Sequence, residues 1–325
     1  MRRIVAVALL ALADPAIAGS DIVVTDSLDR EVRLDRPAER IVALAPHLAE
    51  NLYTAGAGGR LVGTMAHSDY PSEVRELPEV GGYGGVSLES IVALEPDLVL
   101  AWASAPGASD AMLSRMASLG IPVYVNQPRS LDDIADTVVD LGRLAGTATE
   151  ASRAAADFRN GLAALRHRYG DREPVTVLYQ VWNDPLQTIS DDHVIGDVIR
   201  LCGGRNLFSD TRTLAPRISL EAVLDRDPQV IVASGPGPGR PAWLDDWQRW
   251  PGLRAVRHGN LVHVPADVLQ RSSVRIVDGA RQLCRKLDAA RTKATNGSAN
   301  ALSPPPAVAR RDSAAAISPA GFTSW

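Results

Sequence analysis

The chain has 325 residues, enough for two domains that each bury a core of their own. Its composition, 46% hydrophobic and 22% charged with few aromatics, is that of a globular protein. A formal charge of −4 argues against a nucleic acid partner, and no apolar run reaches the roughly 18 residues of a membrane span.

Residues 1–18 open with Arg2 and Arg3, pass through an apolar stretch, Ile4–Ala13, and end on Ala16-Ile17-Ala18. That order predicts a secretory signal peptide cut after Ala18, and Asp14-Pro15 argues against a buried first helix there. The residue directly after the cut is Gly19 and not a cysteine, so the mature chain is expected to be exported, soluble and without a lipid anchor. Residues 21–34 alternate apolar and polar side chains around Asp26-Ser27 and predict a hairpin. A strand over 40–45, a helix over 47–55 and a strand over 61–65 follow. Ser87 then caps a helix, with Glu89 in its first turn. Residues 97–102 read as a buried strand, 109–119 as a helix and 121–125 as a strand.

Residues 148–169 are alanine-rich and free of proline, with Phe158, Leu162 and Leu165 on one face. They predict one helix about 33 Å long at 1.5 Å per residue. Beyond it the same plan returns: strands at 175–181, 230–233 and 261–264, with helices at 194–201 and from Ser219. Alternating strands and helices argue for parallel sheets covered on both faces. The expected organisation is an N-terminal lobe over 19–147, a joining helix over 148–170 and a C-terminal lobe over 171–291. Residues 292–325 are rich in Ala, Ser and Pro and predict a disordered tail. One long helix makes a stiff joint, so small opening motions are expected.

The two lobes are legible as a repeat. SLESIVALEPDLVLA, Ser87–Ala101, returns as SLEAVLDRDPQVIVA, Ser219–Ala233, with Pro96 and Pro228 at matching places. Duplicated lobes leave a cleft between them, where small molecules usually bind. Glu89 and Glu221 occupy identical repeat positions. A carboxylate in a first helical turn gains about 0.3–1 kcal/mol from the helix dipole, a sufficient local reason for both. They would also be displayed symmetrically to a two-fold partner. Cys202 and Cys284 lie near amphipathic helical segments; an oxidising compartment favours pairing them, and two buried free thiols are the alternative.

In open α/β sheets ligands sit beyond the carboxyl ends of the strands. The residues leaving those ends are Pro46-His47, then His67-Ser68-Asp69-Tyr70, and Trp102 in the first lobe. In the second lobe they are Trp182-Asn183-Asp184 and residues 267–271, which include Asp267 and Arg271. Tyr83 joins them from a glycine-rich loop. This aromatic set suits a large, flat, partly apolar ligand. Plainer readings exist: Trp102 as a cap on the core, Tyr70 before Pro71 as turn structure, and Asp267 paired with Arg271 across a helix turn. Trp243, Trp247 and Trp250, at near-helical spacing, read as core. The six histidines form no metal-binding pair motif, and no nucleophile elbow or P-loop is present. A secreted enzyme or metal chaperone built on His47 and His67, with Glu50 or Asp69, is the alternative from another class.

The leader, RIVALAPHLAENLYTAGAGGRLVG, SDYP, SLESIVALEPDLVLAW, LGIPVY, the joining helix, LCGGRNLF and SLEAVLDRDPQVIV together resemble the periplasmic substrate-binding proteins of ABC importers. Those importers carry cobalamin, ferric siderophores and haem, and the likeness is greatest to the cobalamin-binding members. The resemblance spans about Arg40 to Asp288. It implies two Rossmann-like lobes bridged by a helix, a monomer without catalysis or cofactor, and a corrinoid held between the lobes as transported ligand. It implies that Tyr70, Tyr83 and Trp102 line one wall, and Trp182, Asp267 and Arg271 the other. It assigns Glu89 and Glu221 to docking on arginines of the importer's permease subunits, and Cys202 with Cys284 to a disulfide. Tyr83 and Ala215 stand where a cobalamin binder carries tryptophan, and Trp182 at or next to a phenylalanine. A ferric-siderophore or haem ligand ranks lower, because the strand ends offer only Arg271, with Arg217 nearby.

Overall fold

The structure, a computed structural model, describes residues 21–82, 84–235 and 239–301. The leader, Tyr83 and the tail beyond residue 301 lie outside the described residues. A hairpin, β1 (Ile22–Thr25) with β2 (Glu31–Leu34), opens the chain. Asp26 closes it, its carboxylate accepting from the backbone N–H of Leu28 and Arg30 and from the Arg30 guanidinium.

The first lobe then runs β3 (Ile41–Ala43), α1 (Pro46–Thr54), β4 (Leu61–Thr64), a two-residue pair β5 (Gly81–Gly82) and β6 (Gly85–Val86), α2 (Leu88–Ala93), β7 (Leu98–Trp102), α3 (Asp110–Ser118), β8 (Val123–Asn126) and α4 (Leu131–Leu144). Its main sheet is parallel, in the order β4-β3-β7-β8. After α5 (Ala148–Tyr169) the second lobe runs β9 (Val175–Gln180), α6 (Val194–Leu201), β10 (Gly204–Asn206), α7 (Leu220–Arg226), β11 (Val230–Ala233), α8 (Arg254–Arg257), β12 (Leu261–His263), α9 (Ala266–Leu269) and α10 (Ile276–Ala301). Its sheet is also parallel, in the order β10-β9-β11-β12. Both lobes therefore place the second strand outside the first and reverse direction between the first and third, the position where α/β sheets hold ligands.

The repeat read from sequence is a structural one. Ser87 and Ser219 cap α2 and α7, each hydroxyl accepting from the backbone N–H three residues on, at 3.1 and 3.2 Å. Each copy then turns through a left-handed acidic residue before its proline, Glu95 with φ 47° and Asp227 with φ 41°. The strands that follow, β7 and β11, are buried on both faces because helices cover both sides of the sheet.

Helix α5 joins the lobes. Ala151 packs in the first lobe's core, while Phe158, Leu162, Leu165 and Tyr169 pack in the second's. Gly142 of α4 permits the close approach, since a Cβ there would stand 2.2 Å from that of Ala151. Helix α4 itself has no counterpart in the sequence reading, although Ser130 and Asp133 cap it reciprocally, a signal present in the sequence. Helix α10 also differs from expectation: it continues past Thr292, where loss of order was expected, to Ala301. No proline interrupts that stretch. Cys202, which ends α6, and Cys284 on α10 form a disulfide with a Cα–Cα distance of 4.7 Å, which excludes the free-thiol alternative. Trp247 is buried and donates to Gln180 Oε1, with Trp243 and Trp250 packed around it, as expected of core residues.

Candidate functional site

The site is built where β3 and β7 end in one lobe and β9, β11 and β12 end in the other. In β7 the residues Leu98–Ala101 are fully buried, and burial stops at Trp102, which is 36% exposed. The cap-on-the-core reading of Trp102 does not hold, because the side chain stands outside the layer that the helices cover. Its ring meets His47 edge-on, with centroids 5.5 Å apart and planes at 86°. Trp182, just past β9, is 46% exposed and donates its indole N–H to the Asp184 carbonyl at 2.9 Å. Tyr70 is 47% exposed. Among the described residues only six large apolar side chains stand this far out of the core, and these three are half of them.

Helix α1 supplies the wall behind Trp102. It starts at Pro46, with no gap after the strand-end loop, so His47, Glu50 and Asn51 fall at i, i+3 and i+4 on one face. All three are buried, at 5%, 2% and 0% exposure. His47 faces Asn126 at 3.3 Å, and Asn126 donates on to Thr137 Oγ1 at 2.7 Å. Burial pushes the His47 imidazole down to about 4, against the pull of Asn126 and with help from the Arg271 charge. The ring is therefore neutral at ordinary pH.

Asn51 and Glu50 hold the second lobe. Asn51 donates to the Ser272 carbonyl at 3.0 Å and accepts from the Val274 N–H at 3.3 Å. Glu50 accepts from Arg271 at 2.8 Å, Arg275 at 3.2 Å and Ser273 Oγ at 2.5 Å. Arg271 donates further to Asp69 and to the His67 carbonyl, and its partner across one helix turn, Asp267, stands 3.4 Å away. Burial disfavours the charge on Arg271, but Asp69 and Glu50 outweigh it and raise its pKa. Arg275 lies over the Tyr70 ring, 4.0 Å from its centroid.

The structure thus brings Tyr70, Asp267 and Arg271 into one network with Glu50 and Asp69, and brings Trp102 against His47. Trp182 stands apart on the second lobe, and Tyr83 lies outside the described residues. Glu89 and Glu221 are exposed on the first turns of α2 and α7, away from this network. Sequence reasoning missed Asn51, Asn126, Ser273 and Arg275. Asn51 and Glu50 carry a detectable signal, polar residues at i+3 and i+4 from His47 with apolar Leu48, Ala49 and Leu52 between and beside them; Ser273 and Arg275 carry none. Three surface cavities of about 380–500 Å³ lie elsewhere, the largest of them under the amino-terminal ends of β7 and β8 between Arg33, Asp97 and Pro122, and a smaller one of about 180 Å³ opens beside Asn126 and Thr137. That is the wrong edge of the sheet for ligand binding in this topology, so topology and the exposed rings carry the argument. Among the described residues no group of three His, Cys, Asp or Glu side chains is placed to hold a metal ion.

Comparison with known proteins agrees with this fold. The profile of a family described as periplasmic binding protein matches residues 41–268. The chain is 34% identical over 262 residues to a vitamin B12-binding protein of Vibrio parahaemolyticus, covering 80% of this chain and 93% of that one. It is 36% identical over 252 residues to a vitamin B12-binding protein of Vibrio cholerae, covering 77% and 90%. The crystal structure of the periplasmic vitamin B12 binding protein of Vibrio cholerae superposes with a TM-score of 0.71 at 35% identity, covering 78% of this chain and 98% of that one. A periplasmic haem-binding protein of Roseiflexus superposes at 0.69 with 23% identity, covering 78% and 99%, and shares the fold.

Proposed function

Because the chain belongs to the periplasmic binding protein family, we propose that it captures cobalamin or a related corrinoid in the cleft and delivers it to an ABC importer. The observation that carries this reading is the placement of Tyr70, Trp102 and Trp182, large rings left exposed at the carboxyl ends of both lobes. The relatives at 34–36% identity, named for vitamin B12 binding, support it. Ring faces would cover the corrin by apolar contact, while Asp267 and Arg271 meet its amide rim. The leader would direct the chain to the periplasm, where it acts as a monomer.

Dialysis of the purified mature protein against cyanocobalamin is expected to leave a retained corrinoid spectrum at one equivalent. Retention of haem or a ferric siderophore in place of corrinoid would contradict the reading. Trp102→Ala is expected to weaken corrinoid binding by about 1–3 kcal/mol, the loss typical of a stacked aromatic. Titration calorimetry checks this, and unchanged affinity removes Trp102 from the site.

Glu89 and Glu221 are proposed to dock on permease arginines. Glu89→Ala combined with Glu221→Ala is expected to leave corrinoid affinity unchanged and to reduce uptake into cells. A loss of ligand affinity instead would contradict the docking role.

A further inference from the structure

The second lobe reaches across the cleft with two arginines, Arg271 and Arg275, and one buried carboxylate of the first lobe meets both. The Glu50 side chain is 1% exposed, and all three of its hydrogen-bond donors come from the segment 271–275. Asp69 adds a second carboxylate to Arg271 and Asp267 a third. Both arginines of the second lobe thus already face carboxylates, and Arg75 of the first lobe reaches the Asp69 carbonyl from outside the clasp at 3.3 Å. Arg275 is held doubly, by Glu50 and by the Tyr70 ring.

Two arginines in a cleft between lobes are ordinarily a receptor for carboxylate- or catecholate-bearing ligands. Here their charge is already matched from inside the protein. Resting on the reading of the cleft as the ligand site, we infer that Glu50 is a specificity-determining residue: with Asp69, it neutralises Arg271 and Arg275, so that the cleft rejects anionic chelates and accepts a bulky ligand without net negative charge. An incoming anion must displace a carboxylate to reach either arginine. A displaced Glu50 would be a buried charge without a partner, which is strongly unfavourable. A ligand rimmed with carboxamides meets no such barrier. Its N–H groups donate to the outer oxygens of Asp69 and Asp267, whose side chains are each 39% exposed. Discrimination here works by repulsion as much as by attraction.

Equilibrium dialysis of the wild type, Glu50→Gln and Asp69→Asn against cyanocobalamin and, separately, against haemin tests this. Haemin carries two anionic propionates on a ring of similar breadth. Each substitution removes one negative charge with little change of shape. The expected result is a rise of about tenfold or more in haemin affinity relative to cyanocobalamin, shrinking at high salt. An unchanged ratio in the folded variants overturns the inference. Should Glu50→Gln fail to fold, Asp69→Asn decides it alone, since that carboxylate is partly exposed. If the wild type retains no cyanocobalamin, the functional reading fails, and the haemin arm still decides this one: a gain in the variants supports it and no gain overturns it.

Discussion

Lowering the pH from 7 to 4.5 is expected to cost the folded protein about 2–3 kcal/mol for each of two buried histidines. His47 and His193 are both held down at about 4, chiefly by burial. The sign follows from linkage. Each folded pKa lies below the ordinary 6.5, so the unfolded chain binds the proton first. Stability is complete above pH 6.5 and drains away as the pH falls toward 4. The geometry agrees at both sites. His193 Nδ1 accepts the Ile195 N–H at 3.1 Å to cap α6, and protonation there removes the lone pair that makes the cap. His47 is enclosed by Asn126 and the edge of Trp102, with Arg271 adding like charge. Asp69 does not confuse the result, since the balance of burial against its contacts with Arg271 and Arg75 holds it below 3.8, under this window. Urea unfolding at pH 7 and 4.5 measures the loss. His193→Asn keeps a capping oxygen but cannot titrate, so it should recover the His193 share of the loss, about 2–3 kcal/mol. A stability that stays flat from pH 6.5 to 5 would contradict this account of both histidines.

Replacing both cysteines, Cys202→Ala with Cys284→Ala, is expected to lower stability by about 4–5 kcal/mol in the chain-entropy description. The bridge spans 82 residues, so it closes a long loop and strips much freedom from the unfolded chain. It also pins α10 to the end of α6, where the Arg291 guanidinium caps the carbonyls of Cys202 and Gly203 at 2.8 Å each. Because both sulfurs are buried, the alanines leave a small void and some of the loss comes from packing. Denaturant midpoints of the oxidised wild type and the double variant give the difference. Equal midpoints would mean that the bridge constrains nothing that is free in the unfolded state.

What sequence could and could not reveal divides along chain distance. Ser87–Ala101 and Ser219–Ala233 announce two like lobes because the repeat fixes local geometry down to the acidic turn before each proline. Helix α5 is legible from its periodicity alone. Trp102 and Trp182 stand out because each ends a run of buried residues. The clasp at Glu50 is a different matter. Its partners Arg271, Ser273 and Arg275 lie 221, 223 and 225 residues further along, and no local pattern connects them. A pairing of Asp267 with Arg271 across one turn is visible in their spacing. That Arg271 turns mainly to the other lobe is not. Helix α4 was open to detection through Ser130 and Asp133, while short pieces such as β10 and α9 owe their form to neighbours in space.

The central claim is that the corrinoid sits between the lobes, against Trp102 and Trp182. Crystals grown with cyanocobalamin carry their own marker, since cobalt scatters anomalously. The account predicts one strong cobalt peak in the cleft, flanked by the rings of Trp102 and Trp182 and beside Tyr70. A cobalt peak in the hollow between Arg33 and Pro122, or no peak in a protein saturated with corrinoid, would contradict it.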